Sequence, residues 1–84
     1  MPRLEEFTKA VKEIFQECWW SLTAEQVNDY IYGEEAQSVI VNRYNEAVKN
    51  YKSGKITKKI FMIGVVSSVA NCLCYMYDGN SCKI

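Results

Sequence analysis

The sequence predicts an all-α fold, a small four-helix bundle gathered around an apolar C-terminal helix. Three observations predict it. Apolar residues recur at three- and four-residue steps through most of the chain, the repeat of a helix with one buried face. Capping and turn residues fall at the breaks between those segments. The stretch from Ile60 to Tyr77 holds 18 residues and no charge, so it needs other helices, or lipid, around it.

With 84 residues the chain has room for a single helical domain over 1–84 with one modest core. An apolar fraction of 49%, with one proline and four glycines, is globular and argues against a low-complexity tail. The opening Met1-Pro2-Arg3-Leu4-Glu5-Glu6 is charged and predicts no secretory signal, so the expected location is the cytoplasm.

The first helix is expected over about 3–19. Leu4, Phe7, Val11, Ile14, Phe15 and Cys18 form its apolar stripe. Pro2 suits the first turn, Glu5 and Glu6 favour the positive end of the helix dipole, and Glu5 with Lys9 is a well-oriented i,i+4 pair.

The second helix, about 23–32, has the sharpest start signal in the chain. Thr23-Ala24-Glu25-Gln26 is a capping box, in which hydroxyl and amide side chains each satisfy the other residue's backbone N–H, and Leu22 with Val27 adds a hydrophobic staple. Val27, Tyr30 and Ile31 are its buried set, and Gly33 is expected to end it in the left-handed conformation.

The third helix, about 34–52, carries Ala36, Val39, Ile40, Tyr44, Ala47, Val48 and Tyr51 on one face. Glu34 and Glu35 sit at its start and Lys49 and Lys52 near its end, so charge and dipole agree at both termini. Ser53-Gly54-Lys55 stops it. Thr57 is the expected N-cap of the fourth helix, 57–77, before Asp78-Gly79 turns the chain.

That fourth helix reads in two ways. By length it could span a bilayer. Yet Gly64, Ser67, Ser68, Asn71 and Tyr75 fall on one small or polar stripe, and the first and third helices present apolar faces that need a partner, so it reads as the central core helix. The small stripe is then where close helix packing or a homodimer contact is expected, with membrane anchoring as the alternative architecture.

Composition excludes most chemistry. No histidine accompanies the serines and cysteines, and no glycine-rich phosphate motif occurs, so no enzyme, catalytic residue or cofactor is expected. Cys72 and Cys74 point roughly 200° apart around a helix. Only unwinding would let them share a zinc ion with Cys18 and Cys82, so no metal site is expected either. Buried, reduced thiols are the plain expectation, with a bond from Cys82 to Cys18 or Cys74 as the alternative in an exported chain.

Ten acids balance ten bases, so partners must be argued from distribution. From Glu13 to Glu46 stand Glu13, Glu17, Glu25, Asp29, Glu34, Glu35 and Glu46 against Arg43 alone; from Ala47 to Tyr77 stand Lys49, Lys52, Lys55, Lys58 and Lys59 and no acid. The acidic segment could imitate nucleic acid toward a basic protein, with Trp20 or Tyr32 as an apolar anchor. Glu25, Asp29, Glu34 and Glu35 join those two aromatics as the candidate partner-binding residues. On a helix Trp19 and Trp20 diverge by about 100° and Tyr30 and Tyr32 by about 200°, so one residue of each pair is expected inside and the other outside. The five lysines are candidates for phosphates or an acidic surface, though without arginine for base readout.

Glu35-Ala36-Gln37 with Arg43-Tyr44, Gly54-Lys55-Ile56-Thr57, and the run from Ser68 to Tyr77 resemble small helical proteins encoded by prophages and other mobile elements of low-GC bacteria. The resemblance covers about residues 22–79. It implies a phage accessory factor, some of which inhibit bacterial immune nucleases by binding them, and it carries over no functional residue. The leading expectation is therefore a non-enzymatic protein-binding module, an inhibitor of a host protein. A small nucleic-acid-binding regulator and a single-span membrane-anchored protein are the alternatives.

Overall fold

The computed structural model describes residues 1–79, and they form an all-α four-helix bundle. Helix α1 is Leu4–Cys18, α2 is Ala24–Ile31 and α3 is Glu34–Lys52. The last helix, α4, follows Thr57; its early turns Ile60–Val65 are π-helical before Val66–Tyr77 continues as α-helix. Aromatic contacts set the directions. Phe7 meets Phe61 and Phe15 meets Tyr77, so α1 and α4 run parallel. Tyr51 meets Phe61 and Arg43 meets Ser68, so α3 runs against α4. Gln16 reaches Leu22 just before α2 and Lys12, one turn earlier on α1, reaches Asn28 within it, so α2 runs back along α1. Helices α2 and α3 together make one broken descending limb between two ascending ones.

The break is local chemistry. The capping box forms as its sequence predicts, with Thr23 N donating to the Gln26 side chain at 2.9 Å and Gln26 N donating to the Thr23 hydroxyl at 3.1 Å. The Gln16 side-chain amide donates to the carbonyls of Trp19 and Leu22 and so holds the turn before it. Gly33 departs from expectation. Its φ is −74°, not left-handed, and it serves as the N-cap of α3. A Cβ there would lie 3.0 Å from the Asp29 carbonyl oxygen and 3.2 Å from that of Tyr30, so glycine is needed for close approach.

The left-handed glycine belongs to α3 instead. Gly54 has φ +81°, and Lys55 N donates to the Asn50 carbonyl while Gly54 N donates to that of Tyr51, which is the Schellman pattern. Thr57 then caps α4, its hydroxyl accepting from Ile60 N at 3.1 Å.

The core is built from Phe7, Val11, Phe15, Val27, Ile31, Ile40, Phe61, Val66, Val69 and Leu73, all essentially buried. Phe7 packs edge-on against Tyr44 and Phe61. Burial of each large apolar side chain contributes about 1.5–3 kcal/mol. Phe61 and Val66, five residues apart, both point inward; that spacing fits the wider turn of the π segment, which the sequence pattern does not reveal. The stripe on α1 is shorter than predicted. Leu4 and Cys18 at its ends are exposed, while Thr8 is buried within it. Pro2 lies just before the first turn, where its carbonyl accepts from the Tyr44 hydroxyl at 2.7 Å. Among the described residues the ion pair on α1 joins Arg3 to Glu6 at 3.5 Å, in place of Glu5 with Lys9.

Helix α4 packs mainly on α1 and α3, and its Tyr77 ring meets Tyr30 of α2 edge-on at 4.9 Å. Phe61, Val66, Val69, Ala70, Cys72, Leu73 and Cys74 are buried, whereas Ile60, Ile63, Gly64, Asn71 and Tyr75 are exposed. Of the small-residue stripe, Gly64, Asn71 and Tyr75 thus lie outward, while Ser67 and Ser68 are half-buried and Ser68 accepts from Arg43 of α3. Ile60–Tyr77 is long and apolar enough to cross a membrane by length and composition, with one face already covered by protein.

Candidate functional site

The acidic and aromatic residues singled out in the sequence collect around α2. Helix periodicity sends Val27 and Ile31 into the core, which leaves Glu25 and Asp29, one turn apart, outside. Tyr32 follows them onto the same flank, 55% exposed, with the Lys12 ammonium 5.8 Å from its ring centroid. Lys12 also donates to the Asn28 side chain at 3.0 Å, so it braces Tyr32 from α1. At the other end of α2, the turn fixed by Gln16 holds Trp20 out at 81% exposure.

Each aromatic pair divides into an inner and an outer residue, although Trp19, Trp20 and Tyr32 lie just past helix ends, so the turns rather than the helical angle set the division. Trp19 folds inward, donating its indole N–H to the Cys74 carbonyl and packing edge-on against Tyr77; Tyr30 stacks on Phe15. Glu34 and Glu35 lie exposed at the start of α3, immediately after Tyr32, and extend the acidic surface.

The lysines lie at the far end of the molecule. Lys49, Lys52, Lys55, Lys58 and Lys59 are all exposed around the α3–α4 turn. Helix α3 has 19 residues, so its acidic start and basic end stand about 28 Å apart. The particle is 38 Å long, and its charge is polarised along much of that length.

A third region was not legible in sequence. Cys18 at the end of α1 and Cys74 on α4 are both free thiols, and they line one open groove of about 370 Å³ with Trp19, Asn71, Tyr75 and Asp78. Burial holds the Cys74 thiol pKa up to about 12, with the nearby Cys18 adding to the rise. Burial likewise raises Tyr30 to about 12, with the Glu35 carboxylate adding to it, and the Tyr30 hydroxyl is buried with no hydrogen-bond partner. The expectation of uniformly buried, reduced cysteines is therefore corrected. Cys18 is exposed because α1 ends there, and Cys72, buried, is engaged in a disulfide. A bond from Cys18 or Cys74 to Cys82 is not formed, since both are free; Cys82 itself lies outside the described residues.

The unbroken α4 keeps Cys72 and Cys74 from a shared metal, and among the described residues no three metal-ligating side chains gather. The chain matches no protein-family model, no curated protein and no solved structure.

Proposed function

We propose that the chain is a non-catalytic protein-binding module that docks through the outward face of α2 and the aromatics bracketing it. The observation that supports this most is Trp20. A tryptophan left 81% exposed keeps a large apolar surface in water, while Glu25 and Asp29 on the exposed side of α2 offer carboxylates to a basic partner. Rigid aromatics ringed by polar groups are the usual anchors of protein interfaces. The partner surface is basic, with an apolar pocket for the indole. An inhibitor that covers such a surface on a host protein, for instance an immune nuclease, is the form this takes if the resemblance to mobile-element proteins holds.

The test is affinity capture from bacterial lysate with the wild type, Trp20→Ala and Glu25→Lys/Asp29→Lys, at low and high salt. A partner held by the wild type, released by salt and lost with either variant supports the reading. A partner set identical across all three chains rejects it.

A second reading, binding of a phosphate backbone at the lysine turn, is favoured by Lys58 and Lys59. They stand exposed in the first turn of α4, where the dipole disfavours positive charge, so stability alone does not explain them. Titration of single- and double-stranded DNA at low salt decides it, and no binding there ends it.

A further inference from the structure

The ends of α1 and α4 bring two free thiols to one groove, and two contacts fix the approach. Trp19, next to Cys18, donates its indole N–H to the Cys74 carbonyl at 3.3 Å. Phe15, one turn before Cys18, packs edge-on against Tyr77, one turn after Cys74, with ring centroids 5.8 Å apart. Both thiols line the groove of about 370 Å³. Their accessibilities differ in a useful way. Cys18 is exposed at the groove mouth, whereas Cys74 is buried at 8% exposure and shielded from bulk reagents.

We propose that Cys18 and Cys74 form a hydroperoxide-sensitive thiol pair that closes into a disulfide between α1 and α4. Cys18, as thiolate, attacks the terminal peroxide oxygen; the O–O bond breaks, the peroxide leaves as an alcohol or water, and Cys18 becomes a sulfenic acid. The Cys74 sulfur then attacks the Cys18 sulfur. The S–S bond forms, the S–O bond breaks, and hydroxide leaves with the Cys74 proton as a second water. Two thiols are oxidised by two electrons in all, and one peroxide O–O bond is reduced. Exposure selects Cys18 as the residue that meets the oxidant, and its place in the same groove as a free thiol selects Cys74 as the one that resolves it. The cross-link clamps α1 at the base of the turn that carries Trp20. This inference stands apart from the protein-binding reading and does not depend on it.

The test treats the purified full chain with dilute hydrogen peroxide at neutral pH, followed by thiol titration in denaturant and peptide mapping without reductant. The expected result is loss of two titratable thiols, a peptide pair joining Cys18 to Cys74, reversal by dithiothreitol, and a Tm raised by roughly 10 °C, because the bond closes a long loop. In Cys18→Ser, whose exposed site leaves the fold intact, Cys74 stays a free thiol under the same dose. The proposal is overturned if Cys18 goes on to the sulfinic acid while Cys74 stays reduced. It is equally overturned if Cys18 bonds to another cysteine or molecule, or if Cys74 oxidises as fast in Cys18→Ser.

Discussion

The indole N–H of Trp19 donates to the carbonyl oxygen of Cys74 at 3.3 Å, across 55 positions of sequence. That carbonyl also receives the Asp78 amide in the last turn of α4, but at a long 3.4 Å. Trp19 therefore supports a helix end whose own hydrogen bond is weak. Trp19→Phe keeps the aromatic packing on Tyr77 and removes the donor, and is expected to cost about 1 kcal/mol. Trp20→Ala, one residue on and exposed, is expected to change stability by no more than about 0.5 kcal/mol. Urea unfolding of the two variants checks the contrast. Equal losses would mean that Trp20 packs in the folded protein.

Helix α2 has only eight residues, too few to hold its conformation without help. Thr23→Ala breaks one arm of the reciprocal cap and leaves the Gln26 amide unpaired, at a cost of about 1 kcal/mol. Gln26→Ala removes the other arm and costs less, since the exposed Thr23 N–H can turn to water. The double variant is expected to lose less than the sum, because the two bonds share one geometry. Additive losses would show that the arms act independently.

The Tyr30 hydroxyl, buried and unpaired, gives a pH signature. Its pKa lies near 12 in the fold against an ordinary value of 10.0, so on raising pH the unfolded chain releases this proton first. Stability is then full below pH 10 and falls between about pH 10 and 12. Cys74, raised from 9.0 to about 12, acts in the same direction from a lower starting pH. Tyr30→Phe keeps the stack on Phe15 and removes both the unpaired hydroxyl and its titration. It is expected to be at least as stable as the wild type at pH 7 and to lose less stability across pH 10–12, as measured by denaturation at each pH.

Most of this architecture was readable because periodicity and caps are local. Thr23, Gln26 and Thr57 announce helix starts by side-chain chemistry within three residues, and the apolar faces of α1 and α3 follow from spacing alone. The errors lie where a residue's role depends on distant chain. Gly33 resembles a helix stop, but Gln37, whose side chain donates to the Ile31 carbonyl, starts a new helix so close behind that the glycine serves close approach instead. Cys18 matches the apolar stripe of α1, yet at the helix end it borders an open groove instead of packed side chains. The groove with Cys74 needs the parallel alignment of α1 and α4, and no spacing within either helix encodes it. The acidic face of α2 was legible, since Val27 and Ile31 leave Glu25 and Asp29 only one direction to point.

Lys58 and Lys59 give the last prediction, because here charge and dipole disagree. Both stand exposed in the first turn of α4, whose unpaired N–H groups carry partial positive charge, and Lys55 stands close before them. Lys59→Glu reverses an unfavourable interaction with the dipole and relieves repulsion among the lysines. It is expected to stabilise the fold by about 0.3–1 kcal/mol at low ionic strength, with the gain shrinking as salt screens it. Lys49→Glu is the mirror control. It places negative charge near the C-terminal end of α3, already the negative end of that dipole, and is expected to destabilise by a similar amount. Denaturation of both variants at low and high salt reads the signs, and a loss of stability in Lys59→Glu would indicate that its ammonium makes a favourable contact outweighing the dipole.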